Sequence, residues 1–414
     1  MERGSKVRLY LTIVFLGMAG GSIYCLPYMR NILYDAQMKA SGITNMQLGL
    51  FMTMYAIGNT ISYIPGGILA DKISPKKALV VSLLVETALG IVYAFHPTYV
   101  ISLAVWFGFS LTSAFIFWSA LMKTVRLVGA EDQQGFFYGL YYAFNGLSGA
   151  ATNAIAMWAY NRAGDDVILG FRFATITLAV IPGLVAVGLL FLLNDKMLRG
   201  DSESEDEKFH LNQVGGLLKN SQLWLFAIVV MVGYGLYSSV AYFTPYLTAV
   251  KGISISDSGM VSILRNNVSL LMAPIGGIIA DKVFKSTAKW IAVSMGIVAV
   301  LYIVCMMLPD SMSGSAANAY TVLPSFMTMM MYGTLFSIMS EVKLPKVVTG
   351  TAIGLASMIG YSPDFWYSPL FGHLIDANGN AGYNMIFIFL IITCIIGIIV
   401  CLIILRNKKI NSNE

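Results

Sequence analysis

"PGGILADKISPKKA", residues 65–78, and "PIGGIIADKVFKSTAK", residues 274–289, share one pattern: a glycine pair, then an apolar pair, Ala-Asp-Lys and a basic loop. Asp71 and Asp281 stand 210 positions apart. Each copy closes an apolar stretch long enough to cross a bilayer, whose core of about 30 Å needs roughly 20 helical residues. A charged loop at the same place in each half of a chain marks an internal repeat. Two parallel repeats of six helices are a transporter architecture, with the substrate site near the midplane where the repeats meet.

The rest of the chain fits that frame. Of 414 residues, 57% are hydrophobic and 11% charged, against about a quarter charged in soluble domains. Hydrophobic windows predict twelve spans, over 9–33, 45–69, 78–95, 99–121, 136–158 and 172–193, then 222–248, 256–280, 288–308, 318–340, 348–372 and 383–405. The fold class is therefore an all-α polytopic membrane protein; the segments of about ten alternating residues that a β-barrel needs are not seen. Leu9 to Pro27 follows Arg3, Lys6 and Arg8 as a leader's apolar region would, but it lacks a small-x-small cleavage site and reads as the first span. Twenty of the 26 Lys and Arg lie at the termini, in alternate loops and in the central segment. The positive-inside rule then places both termini in the cytoplasm of a multi-pass plasma-membrane protein. The acidic, serine-rich "DSESEDE" (201–207) cannot bury apolar surface, so 194–220 reads as a cytoplasmic linker between halves 1–193 and 221–414.

Several function classes fall away. Cys25, Cys305, Cys394 and Cys401 show no pairing or metal spacing and read as packing residues, so no metal or cofactor is expected. No nucleotide loop or nucleophile–base pair supports an enzyme. The net charge of +5 belongs to membrane topology and implies no nucleic-acid partner. The expected partners are a small-molecule substrate and the lipid bilayer, with the chain a monomer.

Gly67-Ile68-Leu69-Ala70-Asp71-Lys72-Ile73-Ser74-Pro75-Lys76-Lys77 resembles the helix 2–3 loop motif of the major facilitator superfamily, G-x-L-a-D-r-x-G-r-k-x. Ser74 stands at the second glycine and Pro75 at a basic position. Gly277-Ile278-Ile279-Ala280-Asp281-Lys282 is the weaker second copy. The resemblance implies a gating role for Gly67, Asp71, Lys72, Lys76, Lys77, Gly277, Asp281 and Lys282. It also implies rocker-switch alternating access, with spans 1, 4, 7 and 10 lining the path, 2, 5, 8 and 11 beside them, and 3, 6, 9 and 12 outside. "GTAIGLASMIGY" (350–361) is similar to the start of helix 11 in organic-anion antiporters of the glycerol-3-phosphate and oxalate type. Trp118 to Lys123 and "EDQQG" (131–135) resemble helix 4 and the loop after it in the organophosphate group.

Four charges fall inside spans, where an ionised group costs several kcal/mol at the bilayer centre. Arg30, in the outer third of span 1, either attracts an anion or snorkels to the interface. Glu86, in peripheral span 3, reads first as a buried structural carboxyl and second as a proton-coupling group. Arg265 lies about ten residues into span 8, roughly 15 Å deep. Its guanidinium offers a donor fork suited to carboxylate, sulfonate or phosphate, with Asn266 beside it. Asp364 lies between Pro363 and Pro369, where span 11 should kink. Adjacency of spans 8 and 11 suggests an Arg265–Asp364 pair that protonation of Asp364 would open. Tyr24, Tyr28, Asn145, Tyr237 and Trp366 are further candidates for a substrate pocket.

Departures from the family narrow the chemistry. The organophosphate antiporters carry a helix 7 arginine; nothing between Lys219 and Lys251 is basic here, and Tyr237 stands near the expected place. Their helix 5 histidine is replaced around Phe144 and Asn145. Nitrate-type porters carry a helix 2 arginine, absent here, and oxalate-type antiporters a helix 11 lysine where this chain has Asp364. The favoured expectation is a secondary transporter of a small organic monoanion, or of a zwitterion whose amine meets Asp364, proton-coupled or exchanging. An exporter of lipophilic cations using Glu86 and Asp364, and a transporter-like sensor without turnover, are the alternatives.

Overall fold

The computed structural model describes residues 3–128, 134–193, 219–309, 312–342 and 356–410. Linker residues 194–218, the "EDQQG" residues up to 133 and 350–355 of "GTAIGLASMIGY" lie outside them. The described residues form twelve helical spans, and seven stretches are long and apolar enough to cross a membrane by length and composition.

Six spans are continuous: Asn45–Lys72, Pro75–Phe95, Gln134–Asn161, Val167–Leu192, Thr287–Met306 and Ala381–Ile410, which are spans 2, 3, 5, 6, 9 and 12. The other six are interrupted. Span 1, expected as one helix to residue 33, is instead Arg3–Ile23 and Arg30–Ser41 joined by turn residues 24–29. The break falls at Pro27, which has no N–H for the helical ladder. Span 4 opens into a π-helix over Leu111–Phe117. There Ser110 donates to the Phe107 carbonyl at 2.6 Å and Ser113 to the Phe109 carbonyl at 2.7 Å, competing for backbone acceptors.

Span 7 passes from Ser221–Ser239 through a 3-10 turn, Val240–Tyr242, into Phe243–Lys251, just before Pro245. Span 8 is Ile255–Asn266, a 3-10 stretch Val268–Met272, Ala273–Ile278 and a π-turn Ile279–Phe284. Ser269 Oγ donates to the Arg265 carbonyl at 2.5 Å, a back-bond at the point where the α-helix stops. Span 10 comprises Gly314–Tyr320, Val322–Tyr332 and Leu335–Ser340. Span 11 is helical over 356–360, turns at 361–362 and resumes as Pro363–Asn378, with Pro363 in the first turn where its missing N–H costs nothing.

By internal contacts the chain forms two units, Met1–Glu203 with Ser254–Ile263, and Ser204–Ile253 with Leu264–Glu414. The sequence division at the linker differs from this in one piece, the outer part of span 8. Within the first unit, Ser262 Oγ donates to the Asn31 carbonyl, and Gly259 lies so close to Ile32 that a Cβ would stand 2.6 Å from its carbonyl oxygen. The core of that unit includes Ile13, Leu16, Leu79, Phe117, Tyr141 and Leu189 from spans 1, 3, 4, 5 and 6. Spans 3, 6 and 12 carry exposed apolar rows, among them Val81 and Val85, Leu184 and Phe191, and Ile392 and Ile399, as lipid-facing helices do.

Candidate functional site

Irregular backbone at membrane depth is tolerated only where protein buries it or it lines an aqueous cavity. The interrupted spans are 1, 4, 7, 8, 10 and 11, and the strongest polar constellations lie on them.

Arg265 is the penultimate residue of Ile255–Asn266 and is 1% exposed. Nη2 donates to Thr244 Oγ1 at 2.9 Å, and Nη1 to Thr321 Oγ1 at 2.9 Å and Asn318 Oδ1 at 3.5 Å. Thr321 donates its one proton to the Asn318 carbonyl at 2.7 Å, so toward Arg265 it can only accept. Three groups from spans 7 and 10 thus help to orient the guanidinium. Thr244, Asn318 and Thr321 were not singled out in the sequence. The only signal was a set of small polar residues inside apolar spans, an ordinary feature of membrane helices.

Asp364 is half-buried at the restart of span 11 and accepts from Tyr234 Oη at 2.5 Å. Tyr234 packs edge-on against Tyr361 with centroids 4.6 Å apart, and Tyr237 stacks on Tyr332 at 4.5 Å and 18°. Tyr234 links the two pairs, 6.0 Å from Tyr237 and 6.2 Å from Tyr332. Arg265 donates to Thr244, Asn318 and Thr321, and Asp364 accepts from Tyr234. Thr244 and Tyr234 are ten residues apart on span 7, about 15 Å of helical rise, so the two charges are anchored at different depths of the second unit. Trp366 does not join this group. Two residues from Asp364 it is turned about 200° round the helix, packs against Tyr367 and Phe389, and is 39% exposed.

The first unit holds the other candidates. Arg30 opens the second helix of span 1 and is 5% exposed, a burial that an arginine snorkelling to the headgroups would not show. Tyr24 and Tyr28 are half-buried in the preceding turn, with Tyr28 edge-on to Tyr55 at 5.7 Å. Asn145 donates to Tyr141 Oη at 3.1 Å and lies against Gly20, where a Cβ would meet its Nδ2 at 2.5 Å. Glu86 is 0% exposed, and its Oε2 accepts from Thr112 of the π-helix. Asn266, which belongs to the second unit, is half-buried where the helix of span 8 ends. Among the described residues no His, Cys, Asp and Glu group could hold a metal ion.

A sequence profile described as Major Facilitator Superfamily matches residues 7–365. The chain belongs to the Major Facilitator Superfamily. Inner membrane protein YqcE of Escherichia coli is 26% identical over 90% of this chain and 88% of its own. A "Probable sulfoacetate transporter SauU" of Cupriavidus necator is 23% identical, covering 82% and 81%, and the Bacillus subtilis glycerol-3-phosphate transporter 22%, covering 95% and 91%. The nucleoside transporter NupG shares the fold with a TM-score of 0.76 at 13% identity, covering 96% of this chain and 99% of that one. The chain is a secondary transporter, not an enzyme.

The superfamily loop motif takes a distinct form in each half. Gly67, Asp71 and Lys72 fall on the helix Asn45–Lys72, and their side chains lie outside the described part. The departures at Ser74 and Pro75 have a local explanation: Ser74 precedes and Pro75 begins the helix Pro75–Phe95, the position where proline suits a helix start. Lys76 is half-buried and Lys77 exposed. In the second copy Gly277 is half-buried, Asp281 and Lys282 are exposed on the π-turn, and Lys285 takes a left-handed φ of 51°. The buried carboxylate there is Glu341, which the sequence did not flag. It accepts from Thr287 N at 2.6 Å and Ser286 Oγ at 2.9 Å, and pairs with Lys408 at 3.6 Å. It therefore caps the start of span 9 and ties it to the ends of spans 10 and 12.

Proposed function

We propose that this superfamily member moves a small organic anion or zwitterion across the plasma membrane by alternating access, coupled to protons or by exchange, and acts as a monomer. The observation that carries the reading is the seating of Arg265. A guanidinium inside a span is held by two hydroxyls and an amide from two other spans, at a break in its own helix. A planar fork fixed in that way is suited to bidentate recognition of a carboxylate or sulfonate. The names of two relatives, for sulfoacetate and glycerol-3-phosphate, support an anionic substrate. Arg30, Tyr24, Tyr28 and Asn145 are proposed as substrate-contacting groups of the first unit. The loop-motif residues, with Asp71 and Asp281 at their centre, are proposed as the gate.

The test is ligand-dependent thermal stabilisation of the purified chain with short carboxylates and sulfonates, at matched ionic strength. Arg265→Gln should abolish the stabilisation. Arg265→Lys should weaken it by about tenfold, since a point charge lacks the fork. Equal stabilisation of Arg265→Gln and the parent would sink the anion assignment.

A further inference from the structure

The second unit carries a constellation that an anion site does not require: one carboxylate among four tyrosines. Tyr234 and Tyr237 come from span 7, Tyr332 from span 10, and Tyr361 and Asp364 from the turn and restart of span 11. The centroid distances of 4.5–6.2 Å place the rings in one contiguous cluster. Tyr234 is buried and holds the carboxylate by its hydroxyl, whereas Tyr237, Tyr332, Tyr361 and Asp364 are each half-buried. The charge and ring surfaces are therefore accessible in part.

Aromatic faces carry negative quadrupole potential and attract a cation lying over them. A carboxylate beside them supplies the full countercharge. A proton-transfer site needs the carboxylate but gains little from four rings. A carbohydrate site would call for more hydrogen-bonding side chains than one acid and four phenols. The chemistry that uses both features is an organic ammonium, from primary amine to quaternary nitrogen.

We infer that Asp364, Tyr234, Tyr237, Tyr332 and Tyr361 form an ammonium-binding subsite on the second unit, which takes the cationic end of a zwitterionic substrate. The inference rests on the transport reading above and narrows it to a substrate that carries a cationic nitrogen. The ammonium belongs to a soluble substrate and not to a lipid headgroup. Tyr234 is 13 residues into the helix that begins at Ser221, about 20 Å from its cytoplasmic end and well below headgroup level.

The test measures thermal stabilisation of the full chain in phospholipid-free detergent micelles. Choline serves as a cation without an anionic group, betaine as a zwitterion and ethanesulfonate as an anion, each at matched ionic strength. In the parent, choline and betaine should both stabilise. Asp364→Asn should raise their half-saturating concentrations about tenfold or more, and Tyr332→Leu about fivefold, while Tyr332→Phe stays within twofold because the ring face is kept. Arg265→Gln should leave the choline response intact and remove the ethanesulfonate response. If neither ammonium compound is weakened by Asp364→Asn or by Tyr332→Leu, the subsite is overturned. Ethanesulfonate read on Arg265→Gln reports separately on the anion site, so the two assignments can fail independently. A choline or betaine response that appears only after phosphatidylcholine is added would overturn the soluble-substrate assignment.

Discussion

Glu86 shows how one residue's role is decided by its surroundings. Its carboxyl is 0% exposed on a span whose outer face meets lipid, and Thr112 of the π-helix donates to it. That arrangement bridges spans 3 and 4 inside the first unit and presents nothing to a solute. Glutamine keeps an acceptor for Thr112 and removes the ionisable group. Glu86→Gln should therefore melt within about 2 °C of the parent, whereas Glu86→Ala, which leaves a void and a stranded hydroxyl, should lose about 5 °C or more. Differential scanning fluorimetry of the three proteins checks this. If Glu86→Gln folds normally but stops pH-gradient-driven uptake in vesicles, the structural role is wrong and Glu86 carries the coupling. The reverse lesson comes from Arg265. Its depth was legible from ten apolar-flanked positions in span 8, but its partners were not. Thr244 and Thr321 lie 21 and 56 positions away, and only the packing of spans 7 and 10 brings them together.

At the level of elements, charge and hydropathy placed all twelve spans, because both signals are averaged over about 20 residues and survive local error. Of the interruptions only the one at Pro363 was expected, although Pro27 and Pro245 also stand at breaks. The π-helix of span 4 depends on how Ser110 and Ser113 divide themselves between backbone carbonyls, which composition does not reveal. Trp366 packs with Tyr367 and Phe389 and not with the Tyr234 group; counting along the sequence does not show which face of a span a residue occupies. Close helix approach is another element-scale property. A Cβ on Gly276 of span 8 would stand 1.9 Å from the Met330 carbonyl oxygen of span 10, and backbone cannot move aside as a side chain can. Small residues set such crossings in membranes. Gly276→Ala should lower the melting temperature by about 5 °C or more, and Gly277→Ala, where a Cβ meets nothing within 4 Å, should not. A Gly276→Ala protein that melts with the parent would show that spans 8 and 10 do not pack through this glycine.

For the whole molecule the question is what drives the cycle. Arg265 donates to Thr244, Asn318 and Thr321, and Asp364 accepts from Tyr234, on separate parts of the second unit, so the contribution of each to the cycle can be tested by its own mutation. On the proposed reading, Arg265 meets the substrate in every cycle, loaded or exchanging. A protonatable Asp364 matters for net movement, in which the unloaded carrier must return, but not for one-for-one exchange, in which both reorientations carry substrate. In proteoliposomes, Arg265→Gln should therefore lose exchange and net uptake together, by about 100-fold if the bidentate contact is made throughout the cycle. Asp364→Asn, assayed at saturating substrate to offset weaker ammonium binding, should keep exchange within about threefold and lose accumulation driven by a pH gradient. Gradient-driven accumulation that survives in Asp364→Asn would move the coupling off the second unit. Parental uptake that ignores the gradient altogether, and requires substrate inside the vesicle, would make the chain an exchanger, with Asp364 serving the substrate's amine alone.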